Sequence, residues 1–465
     1  MIRMRHQQPS LWETFFAEEV AELWEPWMQV VDELLEDDEL LDVVYTAQGE
    51  RHGQSRTRGR HQTPAEVVLR MLILKHVRNW SYETLEREVR ANAVYRTFCR
   101  IGIEKVPDAK TLVRLGQAVG ADAIRELHKR IVGLAQERKV VRGRKMRVDT
   151  TVVECNVHYP TDSGLLQDGA RVMTRNMQKI EKKVGGLKRR VRNRMRSVTK
   201  RVIAIAHALR HRGAEGEDKR KAEYKELLSL TRRILNDARG VLQEVEAMPR
   251  RRREKVHSVS HQLQAIAERV RGVIRQTRAR LFRGVTQFPE KIVSLFEPHT
   301  EIIRKGKAGK PNEFGKLVQL QEAENQIITH YEVFEKRPSD QRLLVGAVEA
   351  HQQTLGRLPR LLAADAGFYS RENEQSVQQM GVTYVSIPNR NTRSEERRKL
   401  QRRRWFKNGQ KWRTGCEGRI SVLKRRHGLT RCRYRGMDGM RRWVGLGVIA
   451  DNLLNIGRRL APTLA

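Results

Sequence analysis

Apolar positions recur along the chain with two different periods, and the places where the period changes mark its segments. Leu11, Phe15, Phe16, Val20, Leu23, Trp24 and Trp27 follow helical spacing, which predicts a docking helix or helix pair near the start. The stretch VVLRMLILKH is apolar nearly all round, as suits a central, buried helix. Thr63 as N-cap, Pro64 at the first helical position and Glu66 closing a capping box would start it. Ser81 opens an amphipathic helix carrying Leu85 and Val89, and Asp108 caps a third in which Leu112, Leu115 and Val119 share a face. Short helices around a tight turn at 99–108 have the form of a helix-turn-helix, although helical hairpins are also common packing units.

The period then changes. RKMRVDTTVVE, at 144–154, is enriched in β-branched residues and predicts a strand. From about 165 to 285 helical spacing returns through Val202, Ile205, Ala208 and Leu209, then Leu227, Leu228, Ile234 and Leu242. Strands are predicted in VSLFEPHTEII, KLVQLQEAE and QIITHYEVFE, with the loop KGKAGKPNEFG among them. A helix near 340–355, the strand RLLAADA, a helix near 370–380 and the strand VTYVSI complete an alternating run, and a basic helical tail ends the chain. One α/β domain is therefore split by a long helical insertion.

Charge sharpens this division. The 465 residues carry 92 Lys and Arg against 55 acids, a net charge of +37, which points to a polyanionic partner. Residues 1–48 run the other way, with 12 acids and only Arg3 and Arg5 as cations. RHGQSRTRGRH, at 51–61, reads as a basic linker. Over 171–290 there are 33 cations and 12 acids, far more charge than solubility requires. Four cysteines (Cys99, Cys155, Cys416, Cys432) form no CxxC pair, which argues against a disulfide scaffold or a zinc module. The chain start lacks the apolar core of a signal peptide, and no run of about 18 apolar residues occurs, so an intracellular, soluble protein with no membrane role is expected. The expected boundaries are 1–61 for an acidic helical arm and basic linker, 62–140 for an all-α N-terminal domain, 141–164 with 286–465 for the α/β domain, and 165–285 for the insertion.

Three carboxylates stand out by position. Asp149 lies in the strand RVDTTVV. Asp365 follows RLLAA at the carboxyl end of a strand, where α/β sheets place ligands. Glu417 falls in WRTGCEGRISVLKRR, which reads as a helix despite Gly415 and Gly418; there Arg413, Glu417 and Lys424 share one side, next to an apolar stripe of Cys416, Ile420 and Leu423. Two strand carboxylates and one helix carboxylate suit a two-metal phosphoryl-transfer site, whose hard oxygen ligands favour Mg²⁺. Singly, each has a plainer explanation as a turn, cap or ion-pair residue. The histidines show no ligand spacing. GKAGK at 306–310 lacks the ending of a phosphate loop, so no nucleotide cofactor is expected. Trp405 and Trp412 interleave 18 cations over 390–435, where they could stack on an unpaired base or anchor the core.

Around Glu417 the chain resembles the Y-x2-R-x3-E-x6-K signature of bacterial insertion-sequence transposases with a DDE catalytic domain. Arg413, Glu417 and Lys424 match it, and Gln410 stands at the tyrosine position. DTTVVE at Asp149 and LLAADAGFYSRENEQSVQQMGVTYVSIP around Asp365 are similar to the family's two aspartate regions, and TPAEVVLRMLILKHVRNWSYETLEREVRANAVYRTFCRIG to its helical N-terminal domain. The resemblance implies a ribonuclease-H-like fold for the α/β domain, a mixed sheet with flanking helices. It also implies Asp149, Asp365 and Glu417 as catalytic ligands of two Mg²⁺ ions, with Mn²⁺ able to substitute. The substrate would be double-stranded DNA, both the element's terminal inverted repeats and the target, cleaved and then joined by strand transfer. Arg413, Lys424, Arg425 and Arg426, with Arg189, Arg190, Arg192 and Arg194 of the insertion, are the candidate DNA contacts. A homodimer, at least on DNA, is expected, cytoplasmic and nucleoid-associated when bound. The alternatives are a metal-dependent endonuclease without strand transfer and a non-catalytic architectural DNA-binding protein.

Overall fold

The computed structural model describes residues 1–5, 17–51, 56, 62–211, 213–304 and 311–461. Leu11, Phe15 and Phe16, most of the expected linker and the 306–310 string lie outside these residues. The chain divides into two compact units, one of residues 1–156 with 303–465, the other of residues 157–302.

The first unit begins with α1 (Pro26–Leu34) and α2 (Asp38–Gly49), followed by α3 (Ala65–Val77), α4 (Tyr82–Ala91), α5 (Ala93–Phe98) and α6 (Ala109–Glu137). Helix α3 is buried from Ala65 to His76, as its all-round apolar pattern requires. It starts one residue later than expected: Pro64 is the N-cap, and Glu66 is bound by Arg70 rather than closing a capping box. Ser81 and Asp108 do cap their helices, accepting from the backbone N–H of Thr84 and Thr111.

The acidic start is built into this helical core. Trp27, Met28, Val31, Leu40 and Val44 share one apolar cluster with Leu69, Leu72, Leu115 and Ile124. Leu23, expected on the apolar face, is 72% exposed. The acids of the arm face cations of the helices that follow: Asp32 pairs with Arg70 (2.5 Å) and Arg100 (2.7 Å), and Asp37 with Arg130 (2.7 Å). Opposite charge on the two segments therefore serves their own packing.

The sheet starts with β1 (Lys145–Glu154). The second unit follows, with α7 (Asp162–Val184), α8 (Met195–Ala208), α9 (Ala214–Glu246) and α10 (Arg250–Arg283) around a core of Leu166, Met173, Leu227, Ile234, Leu263 and Val270. This unit extends beyond the expected insertion because Gln276 on α10 bonds both backbone groups of Ile292, and Leu295 joins the bundle core. Of VSLFEPHTEII only its end becomes a strand, β2 (Glu301–Arg304). Before it, Ser294 Oγ accepts from the N–H groups of Phe296 and Glu297, and Pro298 has no N–H to give a ladder.

The remaining elements are β3 (Asn312–Glu322), β4 (Ile328–Val333), α11 (Leu344–Leu355), β5 (Leu361–Ala363), α12 (Arg371–Gln379), β6 (Tyr384–Ser386), α13 (Glu395–Arg402), α14 (Arg404–Arg426) and α15 (Gly436–Leu460). Strand order is β2-β3-β1-β5-β6, with β4 also pairing β3. β3 is antiparallel to β1 and β4, whereas β1, β5 and β6 are parallel. Met146 and Val148 face a core with Leu344, Val348, Val377 and Val385, and strand alternation turns Arg147 and Asp149 to the opposite side, towards α14. Helix α15, expected within a basic tail, is buried from Met440 to Ile456 apart from the half-buried Arg441. Among the described residues no helix is long and apolar enough to cross a membrane.

Candidate active site

Strand register points the two aspartates to the same end of the β1–β5 pair. In the parallel β1–β5 pair Lys145 lies opposite Leu361 and Arg147 opposite Ala363, and continuing that register two residues past the end of β5 would bring Asp149 to the level of Asp365. Neighbouring strands run about 4.8 Å apart. Asp149 Oδ1 accepts from the N–H of Thr150 (2.7 Å). Asp365 caps the short 3₁₀ turn Ala366–Phe368 by accepting from the N–H of Gly367 (2.8 Å).

Glu417 reaches this place through Arg413. The Arg413 guanidinium is 3.7 Å from Asp149 Oδ2 and donates to Glu417 Oε1 at 3.1 Å, one helical turn away. Asp149 and Arg413 are both largely buried, whereas the Glu417 side chain is 64% exposed. Arg413, expected at DNA, thus faces the carboxylates. Lys424 is half-buried, and Arg425 and Arg426 are exposed on the last turn of α14.

Several further residues hold this arrangement, of which Asp340 and Arg147 were not singled out from the sequence. Asp340 accepts from Thr150 Oγ1 at 3.3 Å and flanks, with Asp365, the space beside Gly367. Gln410, at the motif's tyrosine position, ties α14 to the strand ends: its amide donates to Ser386 O (2.6 Å) and Ala364 O (3.3 Å). Arg147 clamps β1 to α14, bonding Glu322 and the carbonyl of Trp412 and lying over the Trp412 ring at 4.9 Å. Gly415 is the position on α14 where a Cβ would collide with that guanidinium. Trp405 packs on Tyr384 with ring centroids 5.1 Å apart. Burial raises the Glu322 carboxyl above its ordinary range despite Arg147, and raises the Cys416 thiol, further helped by the Glu322 and Asp149 charges. A cavity of about 680 Å³ lies on this flank of α14, lined by Arg147, Glu322, Gln326, Trp412, Arg419 and Arg425.

In the second unit Arg189 (3.7 Å) and Arg194 both pair with Asp237, while Arg190 and Arg192 are exposed. Two of the four candidate DNA contacts of the insertion thus have an internal counter-charge.

Asp149, Asp365, Asp340 and Glu417 offer hard carboxylate oxygens, a donor set whose chemistry fits a divalent cation such as Mg²⁺. Among the described residues no group of three or more His, Cys, Asp or Glu side chains is placed to hold a metal ion. The guanidinium of Arg413 stands between Asp149 and Glu417 as their shared cation.

Two family models match the chain: a transposase domain (DUF772) over residues 23–117 and a transposase DDE domain over residues 291–453. The second covers Asp365 and Glu417 and begins after Asp149, which the contact with Arg413 ties to α14. No curated protein and no solved structure matches.

Proposed function

We propose that this chain, which belongs to the insertion-sequence DDE transposases, cleaves DNA at its element's terminal inverted repeats and joins the freed 3′-hydroxyl to target DNA. The observations that support the reading are the β1–β5 register, whose continuation by two residues would set Asp149 beside Asp365, and the contacts of Arg413 with Asp149 and Glu417. The order β4-β3-β1-β5-β6, with β3 alone antiparallel to β1, supports a ribonuclease-H-like sheet.

Asp149, Asp365 and Glu417 would hold Mg²⁺, which supplies Lewis acidity to the attacking and leaving oxygens. A backbone N–H fixes one oxygen of each aspartate, that of Thr150 in β1 for Asp149 and that of Gly367 in the 3₁₀ turn for Asp365, so these two carboxylates are oriented before substrate arrives. A DNA phosphate entering the site competes for the Arg413 guanidinium, which then releases Glu417 and helps position the scissile group. In cleavage, water attacks phosphorus in line, the P–O3′ bond breaks, and the leaving oxygen takes a proton to become a 3′-hydroxyl. In transfer, that hydroxyl loses its proton and attacks a target phosphodiester, expelling the target's own 3′-oxygen. Lys424, Arg425 and Arg426 would contact the backbone nearby, and the helical N-terminal segment would take part in end recognition. Two ends need two such sites, hence a homodimer on DNA.

The test is strand transfer with pre-cut ends beside cleavage of intact ends, in Mg²⁺ and in Mn²⁺. Asp149→Asn, Asp365→Asn and Glu417→Gln should each abolish both reactions while duplex binding stays within about threefold of wild type. Cleavage without transfer would make the protein an endonuclease. Binding without either would make it architectural.

A further inference from the structure

The second unit carries a groove that neither the proposed catalytic site nor the family matches assign. It has a volume of about 550 Å³ and runs between α9 and α10, lined by Arg232, Asn236 and Arg239 from one helix and Glu268, Arg271 and Arg275 from the other. All six side chains are exposed. None of the four arginines makes an ion pair or side-chain hydrogen bond among the described residues, unlike Arg189, Arg194 and Arg201 of the same unit, which have acidic partners.

Helix geometry aligns these cations. The positions 232, 236 and 239 lie on one face of α9, and 268, 271 and 275 on one face of α10. Leu235 and Ile274 form the floor between them. From Arg232 to Arg239 the row advances about 10.5 Å, the length of about three base-pair steps of duplex axis at 3.4 Å each. The helices are anchored beneath by Ile234, Ala238, Val270 and Val273, all buried, so the guanidiniums project from a packed scaffold. Like charges gathered along one groove repel one another, and among the residues that line it Glu268 is the one acid.

We propose that this groove binds the sugar–phosphate backbone of double-stranded DNA, without regard to sequence. The inference rests on the DNA-acting reading above and relocates the insertion's DNA contact from the 189–194 stretch to the α9–α10 groove. Arginine suits the task because its planar fork meets phosphate oxygens two at a time. Repulsion within the empty groove is relieved when phosphates enter, and condensed counterions leave the DNA.

The experiment measures binding of the full chain to a 30-bp duplex of arbitrary sequence by fluorescence anisotropy at several salt concentrations. Replacing Arg232, Arg239, Arg271 and Arg275 together with Gln should flatten the log–log salt slope by about 2–3 units, at −0.9 per phosphate contact. The same four changed to Lys should keep most of the slope. Glu268→Gln should tighten binding several-fold at low salt. A control of equal charge, Gln at Arg250, Arg251, Arg252 and Arg253, should change the slope by less than about 1 unit. An unchanged slope in the groove variant, or an equal change in the control, overturns the proposal. So does a groove that captures an acidic protein yet leaves the DNA slope untouched. Asp149→Asn, which tests catalysis, should leave the slope at its wild-type value, so the two readings fail separately.

Discussion

Removing Arg147 should separate the stability of the catalytic unit from its activity. The Arg147 side chain is 7% exposed and that of Glu322 1%, and the guanidinium also bonds Trp412 O and covers the Trp412 ring. Arg147→Met deletes two charge-assisted hydrogen bonds at about 1.5–3 kcal/mol each and a cation–π contact of about 1 kcal/mol. Glu322, whose pKa burial already raises, would then take up a proton instead of remaining as a bare buried charge. That escape holds the net loss to about 3–5 kcal/mol, the usual cost of breaking a buried pair from one side. Arg147→Met with Glu322→Met replaces both partners by apolar groups and should return to within about 1–2 kcal/mol of wild type. Neither variant restores the tie from β1 to the Trp412 carbonyl, so α14 should hold Arg413 and Glu417 less firmly in both. Equilibrium urea unfolding at pH 7.5 gives the stabilities, and single-turnover cleavage of a labelled end gives the activity. The reasoning fails if the single variant loses less than about 1 kcal/mol, if both variants are equally destabilised, or if the double variant cleaves like wild type.

Two further perturbations test the helical part and the C-terminal helix. Lys75 is buried against the rings of Tyr82 (4.8 Å), Trp443 (4.9 Å) and Tyr434 (5.1 Å), and burial, with the nearby Arg433 charge, lowers its pKa to about 7. Between about pH 7 and the ordinary lysine value near 10.4 the unfolded chain holds this proton and the folded chain does not, so Lys75 makes stability rise with pH by up to about 1.4 kcal/mol per unit. Lys75→Met should be more stable at pH 7 and lose that rise; parallel urea midpoints for both proteins from pH 7 to 9.5 would refute it. Asn452, fully buried, pairs with both backbone groups of Ile328 at 2.8 Å; Ile328 O also meets His128 Nε2 at 2.9 Å, so Asn452→Ala leaves the Ile328 N–H unsatisfied and should cost about 1–3 kcal/mol. A shift in thermal midpoint of less than about 1 °C would mean that water replaces the amide.

What the sequence made legible follows from local pattern. Helices α9 and α14 announce themselves because their burial repeats with the helical period, α3 because it is apolar all round, and β1 by its β-branched residues. The aspartates could be placed at strand positions, and Arg413 and Glu417 on one helix face, for the same reason. Asp340 could not be found this way. It sits in a 3₁₀ turn, Asp340–Leu343, and gains its place only when Thr150, 190 residues earlier, arrives opposite it. Gln410 looked like a departure from a motif, yet its amide makes the bonds that join α14 to the ends of β5 and β6. The groove arginines were hidden in an evenly basic segment, because a charge count cannot tell which cations have partners.

Helix α15 shows why burial of this kind escapes a one-dimensional pattern. Its flanking arginines suggest a basic tail, but its middle is apolar on every side and carries glycines where neighbours come close. A Cβ at Gly445 would run into the Tyr331 hydroxyl of β4 and the Ile124 side chain of α6; one at Gly457 would meet the Trp27 backbone at 3.0 Å. Its polar residues belong to other elements: Asp451 binds Arg419 of α14 (2.7 Å), and Asn452 completes the end of β4. The helix therefore packs at once against the N-terminal helices and against the sheet that bears Asp149. Burial on both sides ties the packing of the helical N-terminal segment to that of the sheet.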